Sequence, residues 1–401
     1  VNRRSGVLFA AIAVALGTGV AAYVYATRFR APDASDAARV LVPDEVERVA
    51  ATAGTAPAPS TVGVAAGATP QTTPSLPPHA EPASPQTDLA PEPPSARTDA
   101  APKAAPVAAP PAPVFVYFRN TAQDANYGKL ARIAVAPGAV PEIVGGMNCE
   151  VVHVSAGAGV CLSADRGVVT TYAAKIFDAH TLETRMTLPL AGLPSRTRVS
   201  KDGRLAATTV FVTGHGYDSV DFSTETLLID LRERKVLGNV QDFTVTREGQ
   251  PFAAEDFNFW GVTFVGDGRH FYATLSTAGE HYLVRGDATT KTAKVLRPGV
   301  ECPSLSPDGK RIAFKRRRPA GANVEWQIMM LNLATGDERV LSEQRTVDDQ
   351  LEWLDDRTVL YALPTNERQG AAFTDVWSVR TDRTQPPRKL LTNAYSPAID
   401  R

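Results

Sequence analysis

Leu305-Ser306-Pro307-Asp308-Gly309-Lys310-Arg311-Ile312-Ala313-Phe314 is the stretch on which the fold turns. It reads as the end of one strand, an Asp-Gly turn and the start of a second strand, because Asp-Gly supplies positive φ at little steric cost. Two further segments align with it without gaps, residues 198–205 around Asp202-Gly203 and residues 263–270 around Asp267-Gly268. Looser copies occupy residues 153–160 and 352–359, and residues 396–400 match the first strand alone. With positions 155, 200, 265, 306, 354 and 400 taken as equivalent, the spacings are 45, 65, 41, 48 and 46. A period in the forties that carries short strands is the signature of propeller blades.

The grammar inside each unit agrees. After the hairpin come a variable loop, a third strand such as residues 226–231 or 326–331, a polar turn such as residues 334–337, and an outer strand such as residues 338–341. Residues 359–363, Val-Leu-Tyr-Ala-Leu, form a continuous apolar run, as expected of a sheet packed on both faces. Six first strands predict six blades. The last of them, near residues 395–400, lacks partners at the C-terminal end and finds them in residues 114–118, 129–135 and 142–144. The expected fold class is therefore all-β, a six-bladed β-propeller over residues 114–401 closed by a clasp of N- and C-terminal strands, which removes exposed edges. An open sandwich of six hairpins is the competing arrangement.

The hairpin over residues 305–314 resembles the repeat of TolB-type six-bladed β-propellers. The order of elements over residues 114–401, about 288 residues, is similar to that of bacterial TolB-like translocation proteins. The resemblance implies the fold. It is specific for the repeat and not for a function, since the same blade serves periplasmic scaffolds, peptidase propellers and sugar-processing enzymes. In place of the α/β domain that precedes the propeller in TolB, this chain carries the segments described next.

Asn2-Arg3-Arg4 is followed by an uncharged apolar run over residues 6–26, closed by Arg28 and Arg30. Twenty-one residues at helical rise span roughly 30 Å, the thickness of a bilayer core, so residues 1–30 are expected to be a membrane anchor. The alternative is a cleaved signal segment with Val24-Tyr25-Ala26 at the cleavage site, which would release the protein. Residues 31–113 are expected to be a disordered Ala/Pro-rich stalk. From 51 to 113 they hold 16 of the 31 prolines and no aromatic residue, a composition that cannot build a core. With these segments the propeller is expected on the extracytoplasmic side of the cell membrane, tethered by a single pass, although the arginines flanking the run on both sides do not set its orientation.

The folded part holds 34 Lys+Arg and 34 Asp+Glu, so it has no basic field and nucleic-acid binding is disfavoured. Catalytic patterns are sparse. There is no Gly-x-Ser-x-Gly elbow, no HExxH, no CxxC and no EF-hand loop, so neither metal nor cofactor is expected and the chain is read as a non-enzyme. His215 near Asp218, Ser219 and Asp221 brings together the residue types of a triad, but crowding in sequence is not triad geometry. Of the three cysteines, Cys149 and Cys161 flank one hairpin and are candidates for a disulfide that leaves Cys302 free; three buried thiols are the alternative.

Loops entering a first strand and loops joining second to third strands emerge on one face of a propeller. That parity gathers His215, Tyr217 and Asp218, the basic run containing Arg316 and Arg317, Asp348 and Asp349, Trp260, Arg196 and Arg198, and Glu301. The expected function is a binding module whose long-loop face, around the channel mouth, takes a peptide, protein or glycan of the cell envelope. The chain is expected to be monomeric. A lyase- or lactonase-like enzyme with its site in the channel is the alternative, and Trp260 as plain blade core is the competing assignment for that residue.

Overall fold

The computed structural model describes residues 113–401 apart from 215, 218–221, 321–322 and 366–372. The expected anchor and nearly all of the expected stalk lie outside the described residues, as do His215 and Asp218. Among the described residues the chain forms strands and a single 3₁₀ turn, and no helix is long and apolar enough to cross a membrane.

Strands β1 (Phe115–Asn120), β2 (Lys129–Ala134) and β3 (Glu142–Asn148) open the fold. The first complete blade is β4 (Val151–Ser155), β5 (Ala158–Arg166), β6 (Thr170–Asp178) and β7 (Thr184–Leu190). Blade 2 is β8 (Leu193–Val199), β9 (Leu205–Thr213), β10 (Ser223–Asp230) and β11 (Lys235–Asn239). A hairpin, β12 (Thr244–Arg247) and β13 (Gln250–Phe252), precedes blade 3, which is β14 (Asn258–Phe264), β15 (His270–Thr277), β16 (Glu280–Asp287) and β17 (Thr292–Pro298). Blade 4 is β18 (Glu301–Leu305), β19 (Arg311–Ala320), β20 (Asn323–Asn332) and β21 (Glu338–Val340). Blade 5 is β22 (Glu352–Asp355), β23 (Thr358–Pro364), β24 (Thr374–Arg380) and β25 (Arg388–Leu391), and β26 (Ala394–Asp400) ends the chain's sheets.

The sixth blade has the order β26-β1-β2-β3, so the clasp forms as the sequence predicts, with Phe115 opposite Asp400 and Val116 opposite Ile399. Each innermost strand meets the next around the ring, β26, β4, β8, β14, β18 and β22, and the circle closes. This excludes an open sandwich. The long interval between positions 200 and 265 has a physical cause: β12 pairs parallel to the outer strand β17, and blade 3 becomes a six-stranded sheet.

The hairpins repeat atom by atom. Ser200 Oγ donates to Asp202 Oδ1 (2.5 Å), Asp202 Oδ1 accepts the Arg204 N–H (3.1 Å), and Ser200 Oγ accepts the Leu205 N–H (2.8 Å). Ser306, Asp308, Lys310 and Arg311 reproduce the same set. Positive φ falls on Gly203, Gly268 and Gly309 while the aspartates stay in ordinary space, so Asp contributes acceptor oxygens and Gly alone contributes the left-handed turn.

Among the described residues the hydrophobic core forms six wedges, one between each pair of successive blades, and a seventh cluster of Phe211, Tyr217, Trp260, Cys302 and Trp326 drawn from blades 2, 3 and 4. Strand β20 shows how one sequence serves two of the wedges. Ile328 and Met330 pack toward blade 5, and Met329 and Leu331 pack on the blade 3 side. Both strand faces are thus apolar, and each large buried side chain contributes about 1.5–3 kcal/mol. Cys149 and Cys161 form a disulfide with Cα atoms 5.3 Å apart, and Cys302 is a buried free thiol.

Candidate ligand-binding site at the mouth of the channel

The repeat sets residues at matching depth along the axis. Two positions before each turn-aligned residue stand His153, Arg198, Thr263, Ser304, Glu352 and Ala398, one from each inner strand, all buried. Strands β8 and β22 face each other across the ring, and Arg198 reaches over the axis to Glu352. Its Nη2 donates to Leu351 O (2.8 Å) and Ser304 Oγ (3.3 Å). His153 Nδ1 accepts the Val199 N–H (3.1 Å), and its Nε2 lies between Arg198 Nη1 (3.0 Å) and Glu352 Oε2 (3.2 Å). Burial and the nearby Arg198 charge push the His153 pKa down and keep the ring neutral. Burial works against the Glu352 carboxylate, but Arg198 and the His153 hydrogen bond overcome it and hold the carboxyl at about 2. A cavity of about 80 Å³ opens from this layer toward the Asp-Gly hairpins, lined by His153, Ser155, Ser306 and Arg401 among others.

The opposite mouth, on the long-loop face, has its own cluster. Asp348 Oδ1 accepts from Arg196 Nη2 (3.0 Å) and from Lys315 Nζ (2.6 Å). Lys315 is wholly buried and Arg196 nearly so, yet 45% of the Asp348 side chain reaches solvent. Partial burial opposes ionisation of Asp348, and the Lys315 and Arg196 charges reverse that and bring it to about 2. Burial likewise opposes the Lys315 charge, and Asp348 lifts its pKa above the usual lysine value. Glu301 Oε1 accepts from Arg317 Nε (2.7 Å) and Trp326 Nε1 (3.1 Å), while Oε2 has no partner among the described residues. His281 Nε2 lies 4.0 Å from Oε2, and burial keeps that imidazole below its ordinary pKa.

Aromatic rings wall this cluster. Tyr217 packs on Trp260 with centroids 4.7 Å apart, its hydroxyl pairs with Ser195 Oγ (2.6 Å), and Arg317 Nη2 donates to its carbonyl oxygen (2.6 Å). The Arg196 guanidinium lies 5.1 Å from the Tyr217 ring centre and Lys315 Nζ 4.8 Å from that of Trp326, distances at which a desolvated cation is attracted by a π face.

Of the residues singled out in the sequence, the structure therefore brings Arg196, Tyr217, Trp260, Glu301, Arg317 and Asp348 together at one mouth. Trp260 is fully buried and serves there as wall and core at once. Arg198 lies deeper, in the cross-channel layer. Arg316 turns outward to Glu338 (2.7 Å) because neighbours on β19 alternate, Lys315 and Arg317 facing inward and Arg316 and Arg318 outward. Asp349 turns into blade 5, accepts the Ala362 and Gln350 N–H groups (2.7 and 2.8 Å), and has its pKa raised by burial. Lys315 belongs to the basic run that the sequence placed on this face, whereas His153, Ser304 and Glu352 were not among the sequence candidates. The signal for these three was available as one column of the repeat.

No family model and no curated protein matches the sequence. Solved structures do match. TolB from Acinetobacter baumannii is 20% identical, with a TM-score of 0.51 over 72% of this chain and 67% of that one. A nidogen/laminin complex aligns at 11% identity and TM-score 0.47, covering 71% of this chain and 98% of that one. Oligogalacturonate lyase in complex with manganese aligns at 13% identity and TM-score 0.40, covering 67% of this chain and 72% of that one. The described part of the chain is a six-bladed β-propeller. It is TolB-like, and at this identity the likeness is one of fold.

Proposed function

We propose that the protein is a membrane-tethered extracytoplasmic binding module, non-catalytic, whose long-loop face takes a protein or peptide ligand of the cell envelope. The observation that carries this reading is the mouth itself. Arg196, Lys315, Arg317, Asp348 and Glu301 converge with aromatic walls on a spot where, of these five side chains, Asp348 and Arg317 reach solvent most. Arginine is among the side chains that dominate recognition of protein ligands, and here the partly exposed Arg317 is backed by the buried rings of Tyr217, Trp260 and Trp326. Below the mouth the Arg198–Glu352 pair spans the channel, so a ligand is read at the entrance. The tether rests on residues 6–26, and the Cys149–Cys161 disulfide suits an oxidising compartment.

Envelope proteins captured by the full chain provide the test. Arg317→Glu is expected to lose the partner, whereas Lys201→Glu on the hairpin face is expected to keep it. The reverse pattern rejects this face. A second reading, an envelope enzyme of lyase or lactonase type, draws on His153, Glu352 and the serines that line the 80 Å³ cavity. It requires His153 to exchange a proton, and turnover of a pectate or lactone substrate abolished by His153→Gln would establish it.

A further inference from the structure

The mouth holds hydrogen-bond donors that the described residues leave unused. Lys315, wholly buried, gives one N–H to Asp348 Oδ1 and otherwise faces the rings of Trp326 and Tyr217. Arg196 uses Nη1 on Ser195 O (2.9 Å) and Nη2 on the same Asp348 oxygen, while its buried Nε has no partner among the described residues. The Nε/Nη2 edge of a guanidinium is a fork matched to two carboxylate oxygens. Here a single oxygen, shared with Lys315, occupies one prong. Asp348 belongs to the irregular segment between β21 and β22, and its exposure gives any competitor a path to the two cations.

We propose that Arg196 and Lys315 form a carboxylate-binding subsite, occupied in the free protein by Asp348 and taken over by a carboxylate of the ligand. This deepens, and rests on, the binding role assigned above to the long-loop face. The incoming group takes both Nε and Nη2 of Arg196 together with Lys315 Nζ, which Asp348 does not. The displaced Asp348 side chain passes to water, where it is fully solvated. Asp348 then acts as a tethered competitor: it satisfies two buried cations while the site is empty, and it raises the concentration of acid that a ligand must supply. Neutral and basic ligands gain nothing by displacing it, so the latch selects for an acidic group.

Thermal unfolding of the full chain with sodium acetate or sodium chloride at matched ionic strength and neutral pH tests this directly. Asp348→Asn is expected to melt lower in chloride and to recover saturably in acetate, with an acetate affinity about tenfold tighter than that of the unsubstituted protein. Adding Lys315→Met is expected to remove the acetate response. Equal responses to acetate and chloride, or an acetate response that survives Lys315→Met, overturn the subsite. Should Asp348→Asn not fold in chloride, recovery on refolding in acetate alone supports it and recovery in neither salt rejects it. Two capped peptides separate the sources: one with a free C-terminal carboxylate and no acidic side chain, the other amidated with an internal Glu. The one that competes with acetate identifies which acid is read. Loss of the partner in Arg317→Glu together with a missing acetate response sinks the subsite and leaves the binding role; an acetate response without partner capture does the opposite.

Discussion

Glu352 carries the clearest pH signature of any single side chain in the channel. Its folded pKa of about 2 lies below the value near 4.3 usual for an unstructured glutamate, so the folded state favours the ionised form. The stability this contributes, about 3 kcal/mol, is present above pH about 4.3 and is lost as pH falls toward about 2. Glu352→Gln is expected to cost about 3 kcal/mol at pH 7, because it leaves Arg198 buried without its counter-ion. Urea unfolding at pH 7 and pH 3 checks the sign: the difference between the two proteins shrinks at the lower pH, and a constant difference counts against the pairing. Residues of this kind were half legible. His153, Arg198, Ser304 and Glu352 fall in one column of the aligned repeats, which fixes their depth. That Arg198 meets Glu352 and not a neighbour depends on the geometry of a closed ring and on side-chain length, neither of which is a periodic signal.

At the level of strands, two glycines are held by phenylalanines on the facing strand. Gly159 on β5 stands opposite Phe177 on β6, and Gly286 on β16 opposite Phe271 on β15. A Cβ at Gly286 would lie 2.1 Å from the Phe271 ring, and one at Gly159 would lie 2.2 Å from that of Phe177. In both cases the ring lies over the bare backbone and fills the space a side chain would occupy. Gly286→Ala is therefore expected to destabilise blade 3 by about 1–3 kcal/mol through overpacking, read as a lower urea midpoint. An unchanged midpoint would show that the ring moves aside freely. The blades themselves were legible because Ser-x-Asp-Gly turns are local chemistry that repeats. The β12–β13 hairpin was not: its turn, Glu248-Gly249, has positive φ at both residues but stands outside the repeat, so the sequence showed only a long interval. Arg316 escaped for a related reason, since a run of four basic residues does not reveal which two face inward until the strand's phase is known.

For the whole propeller, closure rests on β26. It supplies the innermost strand of the sixth blade, and Ser396 Oγ both donates to Val152 O (2.8 Å) and accepts the Val152 N–H (3.1 Å), tying the C-terminal strand to the first complete blade. Removing residues 394–401 exposes β1 as an edge and opens two inter-blade wedges. Such a truncation is expected to lose the single cooperative unfolding transition and to aggregate, which denaturation and light scattering would detect; a full-length midpoint would show that the clasp is dispensable. The clasp was legible because an orphaned first strand at one end and orphaned partners at the other are features of composition and order. The Arg198–Glu352 contact adds something that order alone does not convey. Most of the adhesion in this ring runs between adjacent blades, like staves in a cask, and a ring of that kind yields by flattening. A tie-rod from blade 2 to blade 5 resists that deformation directly, so an external load at the rim is shared across the diameter and does not open one seam.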